Sequence, residues 1–333
     1  MEQKKGLILC VDDEPNILRS LNWLLRKDFD VMTATSGHDA LALVRQNDFD
    51  VIISDQRMPG MTGVEFLREV SKFSTRPMRI LLTGYSDLEA VLRSVNESEV
   101  FRFINKPWDI KVLPKIIEEA ARIAKTQPAP APIAAVTEHT EITERPEALL
   151  LIDDDPVVMD VLRKEVGAGL RILHAKTLAA AVDALTCEDV GVVVSDTEVN
   201  HADTTRLLKL MKEKYPAIVT VMFAAAADAK DIVALINQGQ IYRFIPKPTK
   251  VGFLKVVVAS AILKNWQLRE NPGYTRRHFV DQIAATEKQA LMQEIRQVAL
   301  RTAGPHIAQT EHLAGGDSLM HRMSMGFRRL FGA

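Results

Sequence analysis

Four chemically distinctive residues occur twice in this chain, in the same order and at a fixed step. Asp12, Asp13, Asp55 and Lys106 return as Asp153, Asp154, Asp196 and Lys247, each displaced by 141 positions. A repeat of that length requires two folding units of one kind, each large enough to carry its own core and its own acids. One position breaks the correspondence, because Thr83 falls on Ala224. The two copies are therefore expected to share a pocket and to differ in how it works.

Within the first copy, short apolar runs alternate with segments of helical spacing. Leu7 to Val11, Val31 to Ala34, Val51 to Ser54, Arg79 to Thr83 and Phe101 to Asn105 read as strands. Between them Ile17, Leu18, Leu21, Leu24 and Leu25 form a helical stripe, as do Val64, Leu67 and Val70, and later Val112, Ile116 and Ile123. Parallel strands need crossovers and helices supply them, so this alternation predicts an α/β, doubly wound parallel sheet of five strands. The second copy repeats the course through Ala148 to Ile152, Arg171 to Ala175, Val192 to Ser195, Ile218 to Phe223 and Ile241 to Ile245.

The expected boundaries are 5–125 for the first domain, 126–146 for a linker rich in Pro, Ala, Thr and Glu, 147–268 for the second domain and 269–333 for a helical tail. In that tail Arg276 to Thr302 is helix-like, with Ala284, Leu291 and Val298 at sevens and Ile295 between them. The terminal MHRMSMGFRRLFGA is a short basic amphipathic stretch, open to docking on its own domain, to a partner helix site or to a membrane surface.

A formal net charge of −1 over 333 residues gives no overall basic field, which argues against nucleic acid as a general partner. The two cysteines, Cys10 and Cys187, lack metal-ligand spacing and fit a reducing compartment. No stretch reaches the roughly 18 consecutive apolar residues of a membrane helix, and a cytoplasmic location is expected.

In a doubly wound sheet the strand ends share one edge, and ligands bind there. Asp12 and Asp13 end the first strand, Asp55 the third, Thr83 the fourth and Lys106 the fifth. Carboxylates brought together repel unless a hard cation neutralises them, and all-oxygen ligands suit magnesium. A hydroxyl and a lysine on the same edge would hold a phosphoryl group, with Asp55 as its acceptor. Taken alone, Asp12-Asp13-Glu14-Pro15 is also good helix-start chemistry; all five residues in order at successive strand ends are not accounted for so simply.

On VDDEP, SDQRMPGMTGVEFL, LLTGY and FINKPW, residues 5 to 125 resemble the receiver domain of two-component response regulators, and LIDDDP, VVVSD and FIPKP extend the resemblance over 147 to 265. The resemblance implies two flavodoxin-like (βα)5 domains and phosphate transfer to Asp55 from a histidine kinase or phosphotransfer protein. It also implies magnesium held by Asp12, Asp13, Asp55 and the Arg57 carbonyl, and phosphoryl contacts from Thr83 and Lys106. Phe103 would be the rotating aromatic that reports phosphorylation on the face formed by the fourth helix, fifth strand and fifth helix; a plain core aromatic is the competing reading. In the second copy Asp153, Asp154 and Asp196 would hold the metal, with Asp196 a possible second acceptor beside Lys247. Ala224 lacks the hydroxyl that couples phosphate to the switch, and VNHADT replaces MPGMTG, removing its proline and both glycines.

The expected function is that of a phosphorelay response regulator without a catalytic output domain. It would act through a downstream protein partner or as a homodimer, by way of that same face or the tail. Arg102, Lys111, Asp87 and Glu97 are candidates for charged contacts on the face. Regulation of cyclic-dinucleotide turnover or of transcription through the tail is the alternative. His38-Asp39 and Gly315 to Leu319 are too isolated to carry catalysis.

Overall fold

The computed structural model describes residues 6–84, 100–126, 147–167, 169–225, 236–237, 241–250, 252–278 and 284–302. The chain divides into two compact units. One comprises Met1–Ala134 with Ala227–Asn237 and Asn271–His278; the other comprises Ala135–Ala226, Gln238–Glu270 and Phe279–Ala333.

The first unit contains β1 (Leu7–Val11), α1 (Pro15–Leu25), β2 (Asp30–Ala34), α2 (Gly37–Gln46), β3 (Val51–Asp55), α3 (Gly63–Phe73), β4 (Met78–Thr83), β5 (Arg102–Asn105) and α4 (Leu113–Thr126). Its sheet is parallel, in the order β2-β1-β3-β4-β5. Chain order reverses between β1 and β3, and an open α/β sheet places its ligand crevice at such a switch point. The two-residue period of a strand sorts the core into layers. Ile8 and Cys10, Val51 and Ile53, and Met78, Ile80 and Leu82 join one cluster with α1 and α4. Cys10 is a buried thiol whose pKa burial pushes up to about 12, with Asp12 adding to the effect.

Local chemistry starts the helices where the strands end. Pro15 occupies the first turn of α1, where a missing N–H costs nothing. Ser36 accepts from the Asp39 amide, and Thr62 with Glu65 forms a reciprocal capping box at α3. Pro114, early in α4, lies in the first turn and leaves the helix intact.

The second unit repeats the plan with β6 (Ala148–Ile152), α5 (Pro156–Val166), β7 (Ile172–Ala175), α6 (Leu178–Cys187), β8 (Val190–Ser195), a two-strand hairpin β9 (Glu198–Val199) and β10 (Ala202–Asp203), α7 (Thr205–Lys214), β11 (Val219–Ala224), β12 (Arg243–Pro246) and α8 (Phe253–Glu270). Its parallel sheet runs β12-β11-β8-β6-β7, the same order as the first. The hairpin has no counterpart in the first unit and was not anticipated. The segments where the fourth helices were expected, 85–99 with Asp87 and Glu97 and most of 226–240, lie outside the described residues, as do the linker and 303–333.

After α8, Pro272–His278 is a 3-10 turn and α9 spans Ala285–Thr302. The helix expected from Arg276 thus begins later, since Asn271-Pro272-Gly273 and the turn after it interrupt the pattern. Leu291 and Ile295 of α9 are buried where it packs on α6 and α7. Lys288 pairs with Glu213 at 2.7 Å and Arg206 with Glu294 at 3.6 Å. The apolar stripe read from the tail therefore meets a face of the second unit. Among the described residues no helix is long and apolar enough to cross a membrane.

Lys212 on α7 is enclosed, its Nζ donating to the Ile218 carbonyl at 2.6 Å. Burial first, and the charge of Lys264 second, lower its pKa from 10.5 to about 7. Between those values the unfolded chain binds the proton that the folded chain rejects, so stability rises with pH across that window and the penalty is complete below it. Lys212→Met is expected to stabilise the second unit at pH 7 by on the order of a few kcal/mol. Urea unfolding between pH 7 and 10 should show a rising stability in the parent and a flatter profile in the variant.

Candidate functional site

At the C-terminal edge of the first sheet the chain brings Asp12, Asp55, Thr83 and Lys106 together. Thr83 closes β4 opposite Asn105, and the Lys106 amide donates to the Thr83 carbonyl at 2.9 Å. Asp12 and Asp55 are buried, at 0% and 6% exposure, at the ends of adjacent strands. Lys106 Nζ bridges them, 2.8 Å from Asp12 Oδ2 and 2.5 Å from Asp55 Oδ1. Burial disfavours its charge, but the hydrogen bonds and fields of Asp12 and Asp55 outweigh this, and its pKa is raised.

The remaining carboxylate oxygens are held by main chain. Asp12 Oδ1 accepts from the Glu14 amide at 2.9 Å and Asp55 Oδ2 from the Arg57 amide at 2.7 Å. Asp13 is half-buried on the same edge, and no described residue donates to its carboxylate. Thr83 is buried, its hydroxyl donating to the Gly84 carbonyl at 3.1 Å. Phe103 is 3% exposed in β5. Arg102 proves to be buried rather than a free surface charge, its guanidinium bonded to the Asn237 carbonyl within the same unit, whereas Lys111 is exposed.

Among the described residues no group of three or more His, Cys, Asp or Glu is drawn tightly enough to hold a metal by itself. Magnesium does not require such a group, since it keeps several waters and takes one or two carboxylates together with phosphate oxygens. The free Asp13 carboxylate beside Asp12 and Asp55 is a donor set of that kind, and the first pocket fits the ion.

The second pocket holds the matching charges with different hydrogen bonds. Lys247 Nζ lies 2.6 Å from Asp153 Oδ2 and 2.5 Å from Asp196 Oδ2. Its pKa is raised for the same reasons as that of Lys106, while burial raises that of Asp153 against the pull of Lys247. Ala224 closes β11 with no hydroxyl to offer. Asp196 Oδ1 accepts from both the amide and the hydroxyl of Thr197, at 2.6 and 3.2 Å. Asp154 is exposed, and its Oδ2 accepts from the Asn200 amide at 2.9 Å.

Sequence reasoning missed Gln56, whose buried side chain accepts from the Val64 amide at 3.2 Å and ties α3 to the end of β3. It also missed Asn200. The 141-residue step places that residue on Pro59, which has no amide hydrogen; the loss of the proline was legible, the contact that the regained amide makes was not.

The response regulator receiver domain family matches residues 8–118 and 149–259. The chain belongs to that family. Two receivers in tandem, with the parallel five-stranded sheets described above, make it a protein of two-component signalling. Among its relatives is the hydrogenase transcriptional regulatory protein HoxA of Cupriavidus necator, 42% identical over 108 residues, 32% of this chain and 22% of that protein. Regulatory protein AtoC of Escherichia coli is 33% identical over 117 residues, 35% and 25% of the two chains. The chain thus spans about a quarter of the length of these relatives. The signal receiver domain of an HD-domain-containing protein from Pseudomonas fluorescens is 30% identical, covering 38% of this chain and 93% of its own, with a TM-score of 0.36.

In the first receiver Gly63 leaves room for the end of β3: a Cβ there would collide with the Asp55 carbonyl oxygen and with Leu81. The second receiver has Thr204 at this position, and its hydroxyl donates to the Asp196 carbonyl at 2.5 Å. Gly63→Ala is expected to destabilise the first receiver by about 3 kcal/mol, because backbone must move. Thr204→Ala should cost the second only about 1 kcal/mol, the worth of one hydrogen bond. Chemical denaturation of the full chain checks both.

Proposed function

We propose that Asp55 accepts a phosphoryl group from a histidine kinase or phosphotransfer protein, and that the modified first receiver changes its association with itself or with a downstream protein. The observation that carries this reading is the pairing of buried Asp12 and Asp55 through Lys106, beside the free Asp13 and the buried Thr83. In the transfer an Asp55 carboxylate oxygen forms the O–P bond as the donor's P–N bond breaks, and the electron pair returns to the donor imidazole nitrogen, which takes a proton from water. Magnesium, held by Asp12, Asp13, Asp55 and the Arg57 carbonyl, would supply neutralisation of the phosphoryl charge when bound.

The chain's own groups do the rest. Lys106 already faces Asp55 and would follow the negative charge as it moves outward to the phosphoryl oxygens. Thr83 would exchange the Gly84 carbonyl for a phosphoryl oxygen, a contact available in only one of the two states, as a switch requires. Phe103 lies on the neighbouring strand, in register with Leu81, and would report that movement at the face formed by β5 and its flanking helices. The partner at that face is a downstream protein or a second copy of the chain.

HoxA and AtoC are named as transcriptional or regulatory proteins, and regulation of transcription is the second reading. DNA binding that weakens with added salt and responds to phosphorylation would favour it.

The expected result of acetyl phosphate or kinase treatment is one phosphoryl group per chain, absent in Asp55→Ala and retained in Asp196→Ala on phosphate-affinity gels. The reverse pattern would sink the proposal. Light scattering with beryllofluoride should then show a change in association state that Asp55→Ala lacks.

A further inference from the structure

The two pockets carry the same three acids and lysine but unequal main-chain donors, and the loop after the acceptor strand accounts for the difference. In the first receiver that loop runs Met58-Pro59-Gly60-Met61-Thr62-Gly63; in the second it is Val199-Asn200-His201-Ala202-Asp203-Thr204. The frame around it is kept, since the Gly63 amide donates to the Gln56 carbonyl at 3.1 Å and the Thr204 amide to the Thr197 carbonyl at 3.0 Å. Inside the frame the second loop closes into the β9–β10 hairpin, with Val199 opposite Ala202. Asn200 at φ 48 and His201 at φ 61 form its tip, the left-handed pair that two-residue hairpins favour. Val199 and Ala202 are buried, which anchors the hairpin.

We propose that this hairpin closes the second pocket to magnesium. The Asn200 amide donates to Asp154 Oδ2. Asp154 is the residue whose counterpart, Asp13, no described residue contacts. To enter, the ion must take Asp154 from a charge-assisted hydrogen bond, which is roughly twice as strong as a neutral one. Asp196 is further withdrawn by two donors from Thr197, where Asp55 has one main-chain donor from Arg57. Thr204 fixes the Asp196 carbonyl from the side that Gly63 leaves open. Proline at position 59 cannot make the first of these contacts and glycine at 63 cannot make the last. The donor set of the second pocket is thus spent internally: Lys247 serves as its cation and Asn200 as the cap on its outer acid. The second receiver is on this account a fixed module with no metal-dependent chemistry, whatever phosphate arrives. The comparison rests on reading the first pocket as the magnesium site.

The test uses the full chain and magnesium chloride alone, followed by amide NMR. The Arg57 amide is expected to shift with a saturating titration curve, while the Asn200 amide stays within its starting shift up to at least tenfold the Arg57 midpoint. Hydrogen exchange at Asn200 should be slow and should quicken at least tenfold in Asp154→Ala. An Asn200 shift that tracks the Arg57 midpoint, or exchange unaltered by Asp154→Ala, would overturn the proposal. Failure of the first-pocket reading is separable, since it appears as an Arg57 amide that does not respond. A gain-of-binding arm replaces the hairpin in the Asp13→Asn background through Val199→Met, Asn200→Pro, His201→Gly, Ala202→Met, Asp203→Thr and Thr204→Gly. Where circular dichroism shows this variant folded, manganese binding by electron paramagnetic resonance should recover one site that Asp13→Asn alone lacks; no recovery would overturn the hairpin as the cause.

Discussion

Two acids buried at neighbouring strand ends cannot both ionise in a weakly polarisable interior without a cation between them. Lys106 meets that demand between Asp12 and Asp55, and Lys247 meets it for buried Asp153 beside the partly exposed Asp196, at 2.5 to 2.8 Å. Much of the architecture serves the meeting. The lysine comes from the last strand and the acids from the first and third, so the pair forms only when the doubly wound order is complete. The fold thereby ties the charge balance of the site to the sheet as a whole.

Each lysine is a placeholder of adjustable allegiance. It is about a quarter exposed or less, and the acids beside it are nearly enclosed except Asp196, whose side chain is 23% exposed. A group in that position can turn from carboxylate to phosphate without crossing the interior. What decides whether turning is useful lies elsewhere, in the groups that surround the outer acid and in the residue that ends the fourth strand. On the proposed reading Thr83 and free Asp13 let the first site respond, while Ala224 and the tethered Asp154 deprive the second of both means.

Most of the fold was legible, because strands such as Leu7–Val11 and Ala148–Ile152 are apolar runs that end at acids and fell on the residues expected. Boundaries moved where burial overrode composition: Met78 belongs to β4, and Gly191 lies inside β8 although glycine weakens a strand. The pocket acids and lysines were readable as side chains at strand ends. Contacts made by main chain were not, since an amide is present at every residue but proline and nothing in its letter says where it points. That is why Asp12, Asp55 and Lys106 were found and the hairpin that caps Asp154 was missed. Nor was the seat of α9 readable: the stripe of Leu291 and Ile295 shows an apolar face without showing that α6 and α7 receive it.

The charges of the second receiver can be understood without phosphate. Removing one member of a buried ion pair leaves its partner unpaired in the interior, a loss of several kcal/mol, while exchanging all members together is a rarer event. Asp153 and Lys247 are locked in that way once the strands are packed, and the partly exposed Asp196 completes the triad at its rim. Positions outside the lock are free to drift, and they are the ones that differ: Thr83 against Ala224, Pro59 against Asn200 and Gly63 against Thr204. Stability alone therefore suffices to maintain a triad that looks catalytic, and the uncharged positions around it are the better guide to which receiver does chemistry.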